Sequence, residues 1–136
     1  MMLSVFTDGG SRGNPGPAAI GVVVYSGKEI LHEHGEVIGV TTNNVAEYKA
    51  VLYAIQFLSS SLPFPPEKVS FFLDSKLVVE QLSGNYKIKN EDLLDIAKQI
   101  FTVIRSLPFP VSFTHVPRNQ NAYADSLVNK ALDAHL

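Results

Sequence analysis

A chain of 136 residues, 46% of them apolar, has the size of one domain (residues 1–136) and enough apolar side chains for one continuous core. Zero cysteines exclude disulfides, thiolate zinc sites and cysteine nucleophiles, and a formal charge of −2 argues against a strongly cationic nucleic-acid binder. No apolar run approaches the ~20 residues of a membrane span, and the amino terminus lacks the basic-then-apolar layout of a secretory leader; a cytoplasmic protein with no membrane partner is expected.

Met2-Leu3-Ser4-Val5-Phe6 reads as a first strand. Asp8 stands where that strand is expected to give way to a loop, Gly9-Gly10-Ser11-Arg12-Gly13-Asn14-Pro15-Gly16-Pro17. Glycines and prolines of this kind take left-handed or pre-set φ angles. Such a loop either makes an ordinary hairpin or lets backbone N–H groups and Asn14 approach an anion. Val22 to Tyr25 reads as a second strand, Ser26-Gly27-Lys28 as a tight turn, and Glu29 to Gly39 as a third strand of a meander. His32 and His34 alternate on that third strand and are expected on an exposed face; the four histidines are too scattered for a zinc set.

Thr41-Thr42-Asn43-Asn44 has N-cap chemistry, and Tyr48, Val51, Leu52, Ile55 and Leu58 follow at helical spacing. Pro63, Pro65 and Pro66 mark a loop before the apolar strand Val69 to Leu73. Leu77 to Leu82 reads as a short helix that Gly84 ends, and Asn90 as the cap of a longer helix carrying Leu93 to Ile104. A last strand, Val111 to Val116, precedes a terminal helix for which Asn121 is the expected cap. The order βββαβααβα predicts an α/β fold: a five-stranded mixed sheet with helices on its faces.

Four acids sit in unusual settings. Glu47 is in line with Val51, Ala54 and Leu58 on the apolar stripe of its helix, where a lone carboxylate is costly. Asp8 and Asp74 adjoin buried-looking strands, and Asp125 is in register with Val128 and Leu132. Singly, each has an ordinary explanation: Asp74 as a helix cap, Asp125 as a partner of a helix dipole. Together they could meet at one edge of the sheet, held by divalent cations. Oxygen-only donors select Mg²⁺ or Mn²⁺, and two such ions about 4 Å apart can promote phosphodiester cleavage. With those four acids set aside, the charge of −2 becomes +2, so affinity for a polyanion would depend on metal.

Four blocks resemble the type 1 ribonuclease H family in its compact version without a basic protrusion. They are Asp8-Gly9-Gly10-Ser11-Arg12-Gly13-Asn14-Pro15-Gly16, Thr41-Thr42-Asn43-Asn44-Val45-Ala46-Glu47, Leu73-Asp74-Ser75 and Asn121-Ala122-Tyr123-Ala124-Asp125-Ser126-Leu127. The resemblance implies a ribonuclease H fold and a monomeric, metal-dependent endonuclease. It would cleave the RNA strand of RNA–DNA hybrids to 3′-hydroxyl and 5′-phosphate ends, using two Mg²⁺ or Mn²⁺ ions. It also implies that Asp8, Glu47, Asp74 and Asp125 hold the metal, with Glu47 keeping water near the ribose 2′-OH. Thr42 and Asn43 would hold a DNA phosphate, Asn14 and Asn44 would meet the minor groove, and Ser75 and Lys76 would lie along the backbone.

The chain departs from many relatives in two places. The loop before the last acid, Pro117-Arg118-Asn119-Gln120, has no histidine; Arg118 is the best substitute, while His115 reads as part of the strand. The basic handle is reduced at most to Tyr86, Lys87 and Lys89, which predicts weaker hybrid affinity. Cleavage of double-stranded RNA and a non-catalytic hybrid-binding domain are the alternative functions.

Overall fold

The computed structural model describes residues 1–135. The strands are β1 (Met2–Ser11), β2 (Gly16–Ser26), β3 (Glu29–Thr41), β4 (Lys68–Leu73) and β5 (Val111–His115). The helices are α1 (Asn43–Ser60), α2 (Lys76–Leu82), α3 (Glu91–Ser106) and α4 (Ala122–Ala134), with one 3₁₀ turn at Arg118–Gln120 before α4. The expected order holds. The sheet runs β3-β2-β1-β4-β5, antiparallel across β1, β2 and β3 and parallel across β1, β4 and β5. Among the described residues no helix is long and apolar enough to cross a membrane.

Helices cover both faces. On one, α1 lies on β1 with α3 packed against it, and Val5, Tyr48, Val51, Phe71, Ala97 and Ile100 share the main core. On the other, α4 lies across β2 and β3 over a smaller cluster of Ala19, Val128 and Leu132. Ala18 to Val24 are buried without a break because β2 is sandwiched between the two layers. Tyr48 is buried, and desolvation pushes its phenol up to about 12. Its hydroxyl donates to Gln81 Oε1 at 2.6 Å, which ties α2 to α1.

The glycine-rich segment differs from its reading as a loop. β1 continues past Asp8 to Ser11, pairing Gly9 with Ile20 and Gly10 with Ala19, so Asp8 lies inside a strand. Of the glycines from Gly9 to Gly16 only Gly13 has a positive φ, 98°. Gly9 and Gly16 serve close approach. A Cβ on Gly9 would fall inside the Ala46 carbonyl group of α1, and one on Gly21 would collide with the Ala124 carbonyl oxygen of α4. His32 also departs from expectation. Its ring is half-buried, stacked 4.0 Å from Phe57, and Nε2 is 2.8 Å from Tyr53 Oη.

Replacing Gly9 by Ala is expected to reach or exceed the usual overpacking cost of about 1–3 kcal/mol, because backbone must move. Gly27→Ala has open space around the new methyl and only its φ of 60° to strain, so about 1 kcal/mol is expected. Urea unfolding of the two variants checks the ranking.

Candidate active site

Different elements deliver four acids to one cleft of about 200 Å³, bordered by Asp8, Gly10, Asn43, Glu47, Asp74, Arg118 and Asp125 among others. Asp8 comes from the middle of β1, Glu47 from the first turns of α1, Asp74 from the residue after β4, and Asp125 from the first turn of α4. One carboxylate oxygen each from Asp8, Glu47 and Asp74 lies within 4.8 Å of the other two. Asp125 borders the same cleft without joining that set. Its Oδ2 accepts from Asn129 Nδ2 at 3.4 Å.

Local structure explains why Asp74 is free to take part. The residue that caps α2 is Ser75, whose Oγ accepts from Val78 N at 3.3 Å, so the carboxylate one position earlier is not spent as a cap. Glu47 is 5% exposed and its Oε2 is buried without a hydrogen-bond partner. Such an orphan oxygen beside two more carboxylates is an arrangement that a cation or a proton would satisfy.

The electrostatics agree. Burial first, and then the charge of Asp74, pushes the Asp8 carboxyl up to about 7. Burial and the charges of Asp8 and Asp74 hold Glu47 well above the usual carboxylate range. Hard, all-oxygen donors at this spacing fit Mg²⁺ or Mn²⁺. A second, larger cavity of about 370 Å³, walled by Phe6, Tyr25 and Tyr123, offers Lys28 and no carboxylate. The chemistry therefore belongs to the smaller, polar cleft.

The remaining candidate residues fall into groups. Asn14 and Asn43 are interlocked: Asn14 Oδ1 accepts from Asn43 N at 3.0 Å, and Asn43 Oδ1 accepts from Ser11 N at 3.1 Å. Each amide oxygen is thus occupied, and each Nδ2 is left as a donor on an exposed side chain. Thr42 caps α1, accepting from Val45 N at 3.3 Å, and Asn44 is exposed beside it. Ser75 and Lys76 open α2 at the other flank, with Ser75 acting as a cap. Arg118 borders the cleft and forms no ion pair among the described residues. His115 ends β5, exposed, and is not among the cleft residues.

Two residues were not legible as part of the site. Asn121 was expected to cap α4, but its side chain makes no cap bond and turns into the protein. Arg12 borders the cleft and pairs with Asp133 of α4 at 2.6 Å, fastening the β1–β2 loop to that helix. Nothing in the local pattern of either residue signals these long-range partners.

The Asp8 shift fixes a sign. A carboxyl that keeps its proton to about pH 7 when folded, against 3.8 as its ordinary value, favours the folded state most below 3.8 and loses that contribution as pH rises to about 7. In EDTA at pH 8, Asp8→Asn is therefore expected to melt above the wild type, with the gap narrowing toward pH 5. Calorimetric scans at both pH values check this, and a gap that widens on acidification contradicts it.

The profile of the reverse transcriptase-like family matches residues 6–131. The chain is 41% identical over 136 residues to a bifunctional protein of Mycobacterium tuberculosis, covering 98% of this chain and 36% of that protein. It thus spans about a third of that curated relative. It is 41% identical over 135 residues to the Ribonuclease HI of Halobacterium salinarum, covering 96% of this chain and 64% of the other. The solved LC11-RNase H1, isolated from compost, was crystallised in complex with an RNA/DNA hybrid. That structure superposes with a TM-score of 0.93 at 41% identity, covering 98% of both chains.

Proposed function

Because the chain belongs to the type 1 ribonuclease H family, in the compact form without a basic protrusion, we propose that it hydrolyses the RNA strand of RNA–DNA hybrids. The observation that carries this reading is the trio of carboxylate oxygens within 4.8 Å, set in a cleft flanked by uncommitted donors. Asp8, Glu47 and Asp74 would hold two Mg²⁺ or Mn²⁺ ions, with Asp125 completing the set. When bound in such a site, these ions activate water and stabilise the leaving oxygen, which yields 3′-hydroxyl and 5′-phosphate ends.

The protein's own groups select and orient the substrate. Glu47 would keep a water near the ribose 2′-OH, which favours an RNA strand at the scissile position. Thr42 and Asn43 hold a DNA phosphate at the start of α1. Asn14 and Asn44 turn amide donors toward minor-groove acceptors, and Ser75 and Lys76 follow the sugar–phosphate backbone. Arg118 grips the scissile phosphate with a planar pair of N–H donors. One chain carries every group named, so a monomer would suffice for the reaction.

Cleavage of an end-labelled hybrid and of an RNA duplex of the same sequence, in Mg²⁺ and in Mn²⁺, tests the reading. The hybrid's RNA strand should be cut, and a protein that cuts neither substrate in either metal is not this enzyme. Preferential cutting of the duplex would move the substrate class to double-stranded RNA.

Asp74→Asn is expected to lower the rate by at least about 10²-fold, since the site loses a ligand and a charge. Arg118→Ala should lower kcat by about tenfold, the worth of one charge-assisted hydrogen bond, and leave metal affinity unchanged. Steady-state kinetics and calorimetric metal titration of these variants separate the two effects.

A further inference from the structure

Between β1 and β4 the sheet comes apart. Their parallel pairing ends at Phe6 opposite Phe72, so from Thr7 onward β1 has no strand neighbour on that side. Asp8 and Asp74 stand on the two sides of this opening. The amide of Asn121 lies within it: Nδ2 donates to the Thr7 carbonyl at 2.8 Å and reaches Asp74 Oδ2 at 3.5 Å. The backbone carbonyl of Asn121 accepts from Asp125 N at 3.1 Å. One residue thus binds the strand that carries Asp8, the side chain of Asp74 and the first turn under Asp125.

The chemistry of the position argues against a role as mere filler. Asn121 is 1% exposed, and its Oδ1 is buried with no partner. Both groups at the Nδ2 end are acceptors, so reversing the amide would gain nothing. An apolar residue of the same size would avoid the orphan acceptor altogether. The amide is retained at a cost that only its donors offset.

We infer that Asn121 is a positioning residue that sets the separation of Asp8 and Asp74 by bridging the gap between β1 and β4, and so fixes the geometry of the cation site. The inference rests on the metal-dependent reading above. It assigns the last-helix motif a second task beyond supplying Asp125.

Asn121→Leu keeps the branched outline at a larger volume and removes the donors. The protein should stay folded, with KM for the hybrid within about 3-fold of wild type and kcat lowered about 10–100-fold. Calorimetric titration with MgCl₂ or MnCl₂ alone should show affinity weakened by about 10–100-fold, the usual effect of losing a partner that orients a ligand. Ile100→Ala, on the core-facing side of α3, serves as a destabilised control whose kcat should be unchanged while it is folded.

A folded Asn121→Leu with kcat and metal affinity within about 3-fold of wild type overturns the inference. So does a loss that merely tracks the melting temperature, as in the control. Should Asn121→Leu not fold, Asn121→Ala decides by the same thresholds. A wild type that leaves hybrids intact removes the proposed activity, and the calorimetric comparison then decides the role of Asn121 alone.

Discussion

Mutual repulsion among acids crowded into one desolvated cleft is the constraint around which the molecule is arranged. Asp8, Glu47 and Asp74 would separate if the backbone let them, and every element near the cleft prevents it. β1 holds Asp8 between β2 and two helical layers, α1 carries Glu47 in its buried stripe, and Ser75 frees Asp74 by capping α2 in its place. Burial first, and then the neighbouring carboxylates, raises the Asp8 and Glu47 carboxyls, and a bound cation would offset both. Stability is thereby exchanged for a site already shaped before any ligand arrives.

The same logic extends to groups that never touch a cation. The two interlocked asparagines commit their carbonyl oxygens to backbone N–H groups and so fix which end of each amide faces outward. Arg12 and Asp133 fasten the loop bearing Asn14 to α4. The proposed recognition and catalytic surfaces are parts of one hydrogen-bonded frame, which would let a substrate meet both without reordering either.

Most of the fold was legible because its local signals act over a few residues. Thr42 and Asn90 cap α1 and α3 as their types suggest, and Glu47 is buried as its place on the stripe implies. The glycines of the first block were misread because strand and loop place the same residues in sequence. What decides at Gly9 is the nearness of Ala46, from a helix far along the chain. Asn121 was misread for a related reason: capping is a local habit of asparagine, whereas the opening between β1 and β4 exists only in the assembled sheet. His32 likewise finds Tyr53 and Phe57 only once α1 has docked beside β3.

The paired glycines beneath α4 carry a further consequence. At Gly21 and Gly35 neighbouring strands present bare backbone to the helix, whose Ala124 and Leu127 carbonyls rest directly on them. Main chain against main chain is nearly incompressible, so the height of Asp125 above the sheet is dictated by hard atomic radii rather than by adaptable side chains. A chimera that borrowed this helix from a cousin would need both bare positions in the recipient sheet, or its fourth acid would ride too high.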